Sequence, residues 1–188
     1  MMRYVIAAPI RGSLANKIDS YKELHQQDIL ELPKLPVHYT ILATELFERK
    51  EDEVLKRIKA IADTQLELET KCKELDVFDN NALVLKLKKT PNMQLLHDRV
   101  CFELRPLLWH GNLEEENKKK EQRIRKYGSA YAGPNYRPHV TLFHPKEDSK
   151  KDRDHFRGDS VAIDSIGVWV KNDKWKLLSE FELRRQSH

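Results

Sequence analysis

The apolar positions of this chain change period several times, and each change marks an element. Arg3 to Pro9 is an apolar run of strand length, and Leu14, Ile18 and Tyr21 then recur at helical spacing behind Ser13, a residue suited to cap the helix. After Pro33 and Pro36 a short strand is predicted over Val37 to Leu42. Val54, Leu55, Ile58, Ile61 and Ala62 make the stripe of an amphipathic helix. Alternation through Leu66, Leu68, Thr70 and Cys72 then fits a half-buried strand. Asp79, Asn80 and Asn81 supply turn chemistry before a strand at Leu83, Leu85 and Leu87. Pro91 suits the first turn of a helix carrying Leu95, Leu96, Val100 and Leu107.

Residues 111–134 break the pattern, with an acidic patch at Glu114 to Glu116 and a basic run through Lys118, Lys119, Lys120, Arg123, Arg125 and Lys126. This stretch reads as a surface insertion. A strand, YRPHVTLF, follows and is opened by Pro138, then a polar stretch from Lys146 to Ser160. Two strands close the chain, Val161 to Val170 and Trp175 to Leu183, with Asn172 and Asp173 at the turn between them.

One order thus occurs twice: helix, short strand with a histidine, connection, strand, turn, strand. The hairpin segments DVFDNNALVLKL and GVWVKNDKWKLL resemble each other. The expectation is one domain over residues 1–188, built of two duplicated lobes and long enough to bury a substantial core. The second connection, 146–160, lacks an apolar stripe, and a helix is placed there on the duplication alone.

The two histidine strands read His38-Tyr39-Thr40 and His139-Val140-Thr141. Strand side chains alternate faces, so each histidine points the same way as the threonine two residues on, while Tyr39 and Val140 point to the other side. If the halves pack about a pseudo-twofold axis, two imidazoles and two hydroxyls surround one ligand. In-line displacement at a phosphodiester needs that set: one group takes a proton from the nucleophile while another gives one to the leaving oxygen. Histidine, with an ordinary pKa of about 6.5, can do either. The threonine hydroxyls can donate to the non-bridging oxygens. No metal or cofactor is called for. One His-x-Thr is a weak signal, but two of them at the same place in each half and about a hundred residues apart are a strong one.

Hydrophobic residues make up 39% and charged residues 34%, the balance of a water-soluble chain, and no apolar run is long enough to cross a bilayer. The N-terminus lacks the features of a secretory signal, so a cytoplasmic protein is expected. Cys72 and Cys101 are too few for a disulfide framework and read as reduced core thiols. The net charge of +4 mildly favours anionic partners and decides nothing further.

The paired motifs, YRPHVT above all, and the closing strands VAIDSIGVWV and WKLLSEFEL resemble the 2H phosphoesterase superfamily, which includes the bacterial RNA 2',5' ligase-like proteins and the cyclic phosphodiesterases. The resemblance covers nearly the whole chain, although Val37 stands where that family more often has proline. It implies an α+β fold of two pseudo-symmetric lobes, each a mainly antiparallel sheet with helices on its outer face, around a central groove. It also implies a metal-independent phosphodiesterase with His38 and His139 as the catalytic pair and Thr40 and Thr141 as phosphate-binding hydroxyls. The implied substrate is RNA or a nucleotide, with a 2',3'-cyclic phosphate or a 2',5'-linked or 3'-terminal phosphodiester at the reacting position. A non-catalytic RNA-binding module and a 2',5' ligase running the reverse reaction are the alternatives. A monomer without an obligatory protein or membrane partner is expected.

Around the second motif, Arg137 shares parity with His139 and either reaches the phosphate or lies on the surface. Tyr136 and Phe143 are candidates for stacking on a base, with packing the favoured reading for Phe143. By strict alternation His144 falls on the face opposite His139. His25, His97, His110, His155 and His188 share no spacing that suggests a site. The basic run 118–126 reads as a solvated face more readily than as an RNA-steering patch.

Overall fold

The computed structural model of the chain describes residues 2–46, 50–108, 122, 133–146 and 152–185. In chain order its elements are β1 (Met2–Pro9), α1 (Gly12–Leu24), β2 (Ile29–Glu31), β3 (His38–Leu46), α2 (Glu51–Ala62), β4 (Leu68–Val77), β5 (Leu83–Leu87), α3 (Pro91–Leu104), β6 (His139–Pro145), β7 (Ser160–Ile163), β8 (Ser165–Lys171) and β9 (Trp175–Glu182). The insertion at 111–134, with its acidic patch and the basic run 118–126, lies outside the described residues except for Gln122, Gly133 and Pro134, as do His110 and His188. Of the polar stretch 146–160, residues 153–158 form turns rather than the expected helix, and Phe156 anchors them in the core.

Local chemistry explains most boundaries. Thr90 caps α3 by accepting from the Met93 amide at 3.2 Å, with Pro91 behind it. Glu51, Asp52 and Glu53 place negative charge at the positive end of α2. The helix after β1 starts at Gly12, not behind a Ser13 cap; Gly12 takes the left-handed φ of +67° that turns the chain from strand into helix. The short strand β2 has no counterpart in the apolar pattern of the sequence. Leu95, expected in the stripe of α3, is exposed, while Leu107 is buried in a short 3₁₀ turn beyond the helix.

Among the described residues the named strands pair antiparallel throughout, and the sheet runs β7-β4-β5-β6-β3-β1-β8-β9, with β2 pairing onto β6. The two histidine strands sit at its centre, four strands to a lobe. The lobes do not coincide with the halves of the chain: the first-half hairpin β4–β5 completes the lobe of β6, and the terminal hairpin β8–β9 completes the lobe of β3. The predicted strand 161–170 is broken at Asp164, and its two parts go to opposite ends of the sheet. One residue can join those ends only because the sheet curls until they meet. Leu183 N donates to Asp164 O at 2.8 Å, and across the parallel bridge of Leu66 and Arg184 the Glu67 amide donates to Arg184 O while the Arg184 amide donates to Gln65 O, both at 2.9 Å.

Helices pack on one face, where Leu14, Ile18, Val54, Ile58, Leu96 and Val100 meet inward strand residues such as Tyr4, Ile6, Tyr39 and Val140. The other face carries a small separate cluster of Val5, Ala7 and Trp169, covered by Leu35 and Trp175. Among the described residues no helix is long and apolar enough to cross a membrane.

Candidate active site

The groove is built on one register pair. β3 and β6 meet antiparallel at Tyr39 and Val140, both wholly buried on the helix side. On the opposite face this pairing brings His38 alongside Thr141 and Thr40 alongside His139. All four are half-buried, and the burial pattern of the two strands is identical over their first five residues.

A shared irregularity produces that pattern. Against β1, Ile6 pairs with Leu42 and Ala7 with Thr40, which leaves Ile41 as an extra residue. Against β5, Leu83 pairs with Phe143 and Val84 with Thr141, which leaves Leu142 extra. Each motif is therefore followed at once by a β-bulge, a device that bends a strand and resets its alternation next to a site. The bulge decides where the next two residues go. Phe143, a candidate for base stacking, is instead 0% exposed in the core against Tyr21, in keeping with packing. His144, expected on the far face, moves to the His139 side, where β6 meets Glu31 of β2.

Both imidazoles are anchored alike. His38 Nδ1 donates to Pro36 O at 2.6 Å and His139 Nδ1 donates to Arg137 O at 2.7 Å, so each ring keeps Nε2 for the groove. Burial pushes both pKa values below the ordinary histidine value, against the opposing effect of those carbonyls, and the charge of His38 lowers His139 further. The two rings thus lie within electrostatic reach of each other.

Each ring also has an aromatic neighbour that the sequence reading missed. Trp169 lies 6.3 Å from His38, and Phe78 lies 4.7 Å from His139. Both occupy the third position of the two similar hairpin segments, which was the available signal. Trp169 folds over Gly167, where a Cβ would overlap its ring, and is only 5% exposed. Next to His139 on β5 stands Lys86, which bonds Glu74 at 2.6 Å and Asp76 at 3.0 Å, with Arg153 reaching both carboxylates at 3.7 and 3.9 Å. Lys86 is held protonated above its ordinary pKa by Glu74 first.

The other sequence candidates divide. Arg137 is exposed, and its described role is the carbonyl that anchors His139. Tyr136, read as a groove residue, is 7% exposed on the helix side beneath Thr40, so it cannot stack on a base in the groove. His97, read as incidental, is buried and donates from Nδ1 to Ile41 O at 2.7 Å. Among the described residues no group of three or more His, Cys, Asp or Glu side chains could hold a metal ion.

A family model described as the 2'-5' RNA ligase superfamily matches residues 10–153. No curated protein matches significantly. Among solved structures, TT0787 of Thermus thermophilus is similar at a TM-score of 0.71 and 16% identity, covering 99% of this chain and 100% of that one. Escherichia coli LigT complexed with phosphate gives 0.65 and 12%, covering 97% of each chain. A structure described as a phosphoesterase gives 0.68 and 12%, covering 97% of this chain and 99% of its own. These likenesses show a shared fold of LigT type.

Proposed function

The chain belongs to the 2'-5' RNA ligase superfamily, and from that premise we propose that it is a metal-independent phosphodiesterase acting on RNA or a nucleotide, with His38 and His139 as its acid–base pair. The observation that carries this reading is the matched anchoring of the two rings: both Nδ1 atoms are bound to backbone carbonyls two residues upstream, and both Nε2 atoms are left for one groove.

On a 2',3'-cyclic phosphate, one neutral imidazole takes a proton from water as its oxygen bonds to phosphorus. The other, protonated, gives its proton to the ribose oxygen whose bond to phosphorus breaks. The Thr40 and Thr141 hydroxyls donate to the non-bridging oxygens, where charge accumulates. Burial leaves both rings reluctant to ionise. An anionic phosphodiester between them reverses that preference for one ring, so substrate binding draws in the proton that catalysis needs. LigT has been crystallised with 3'-AMP as well as with phosphate, which fits a nucleotide in a groove of this shape.

The test is to assay the purified chain in EDTA on 2',3'-cyclic nucleotides, 2',5'-oligoadenylate and cyclic-phosphate-ended RNA. Turnover of at least one is expected. Activity that disappears with chelator, or no turnover of any of the three, overturns the reading.

A further inference from the structure

The two histidine strands touch at one register pair and then part, and the parting is handled differently on its two sides. On one side β2 fills the gap by backbone pairing, Ile29 with Pro145 and Glu31 with His144. On the other, two successive carbonyls of β3 at the bulge, Thr40 O and Ile41 O, accept from side chains instead. Buried carbonyls need donors, and these come from the segment and helix that precede β6: Tyr136 Oη reaches Thr40 O at 3.2 Å and His97 Nδ1 reaches Ile41 O at 2.7 Å.

The two donors form one unit. Their rings stack at 3.9 Å with 6° between planes. His97 Nε2 accepts from the Gly133 amide at 3.0 Å, in the 3₁₀ turn Gly133–Asn135 that leads into Tyr136. Both imidazole nitrogens are thereby used, one as donor and one as acceptor, which requires the neutral ring. The Tyr136 hydroxyl also hydrogen-bonds that of Tyr39, the residue between His38 and Thr40. Three residues after Tyr136 comes His139.

We infer that Tyr136, backed by His97, is a positioning residue that ties the Thr40 carbonyl of one half-site to the chain entering the other and so fixes how far apart the two imidazoles stand. The inference goes beyond the proposed reaction and, for its kinetic consequence alone, rests on it. It has no counterpart across the pseudo-twofold axis, where the matching positions are Leu35 and Val140 and carry no hydroxyl.

Two readouts test it in Tyr136→Phe, which keeps the stacked ring and removes the hydroxyl. The first needs no activity: NMR titration of His139 with and without His38→Gln gives the influence of one ring on the other. In the Tyr136→Phe background that influence is expected to fall at least about two-fold, because the rings are free to separate. The second is kinetic: kcat on a 2',3'-cyclic nucleotide should fall roughly ten-fold with KM within about two-fold, the signature of misplaced acid–base groups rather than lost binding. His97→Gln, which loses the stack, should move both readouts the same way. An unchanged histidine–histidine influence in both variants overturns the inference whether or not the chain proves to be a phosphodiesterase. An unchanged influence with a raised KM shows Tyr136 to be merely structural.

Discussion

The His38 and His139 half-sites share a backbone and differ in their walls. Each has the same motif, the same bulge one residue after the threonine, and the same Nδ1 anchor. Around His38, β1 contributes Pro9 and Ala7, and the indole of Trp169 lies buried under Leu35 and Trp175. Around His139, β5 contributes Lys86 and Val84, Phe78 stands half-exposed, and Lys86 and Arg153 meet Glu74 and Asp76. In the His38 lobe Arg11 meets Asp164 and Glu180 at the outer strands and the start of α1, and Arg3 pairs with Glu45 at the end of β1 and β3 far from His38. The histidine motifs and their anchors are duplicated, and the side chains around them are not. The two histidines thus share one anchoring scheme and differ in their neighbours, Trp169 beside His38 and Phe78 with the Lys86 ion pairs beside His139, and on the proposed function this difference would favour one substrate orientation.

The largest test of the duplication is to remove each ring. His38→Ala and His139→Ala should each lower turnover by roughly 10²- to 10⁴-fold with little change in thermal unfolding, because the proposed mechanism needs both proton transfers. A wild-type rate in either variant breaks the pairing. Next, the apolar wall should be intolerant where the ionic one is not. Gly167→Ala drives a Cβ into the Trp169 ring and is expected to cost about 1–3 kcal/mol of stability in denaturant unfolding, together with activity. Phe78→Leu should leave stability within about 0.5 kcal/mol and change mainly KM. Equal effects of the two would mean that the walls are not distinct.

A smaller effect is expected at Lys86→Met. Loss of this cation removes the shortest ion pairs of Glu74 and Asp76, so the local field at His139 becomes more negative and its pKa is expected to rise more than that of His38. Parallel NMR titration of both rings checks this, and equal movement of the two counts against an asymmetric site. The smallest effect is on stability. Burial depresses the pKa values of His38, His139 and His97, so below the unfolded histidine value of about 6.5 the unfolded chain binds more protons than the folded one. Stability is complete above that pH and declines as pH falls beneath it. Urea midpoints at pH 7.5 and 5.5 should show the decline, and His97→Gln should flatten it.

Much of this was legible in the chain. Both His-x-Thr faces followed from period-two alternation, and the hairpin resemblance marked the places of Phe78 and Trp169 before their role was visible. Alternation failed after Thr141 because a bulge is a property of two strands: only pairing with β5 reveals that Leu142 is surplus, and that surplus exchanges the faces of Phe143 and His144. The break at Asp164 was hidden for a similar reason. Strand-formers stand on both sides of it, Val161 and Ile163 before and Ile166 and Val168 after, and they divide between opposite sheet ends that meet only through curling.

The amino-acid pattern alone was enough to locate the two His-x-Thr motifs, to show that they come in two copies, and to place them on strands, since these depend on residue type and local period. The tertiary structure alone decided that the hairpins complete opposite lobes, that Tyr136 and His97 work behind the groove, and that one histidine has an ionic neighbour and the other an apolar one. Those features arise from contacts between segments distant along the chain, and no local pattern encodes them.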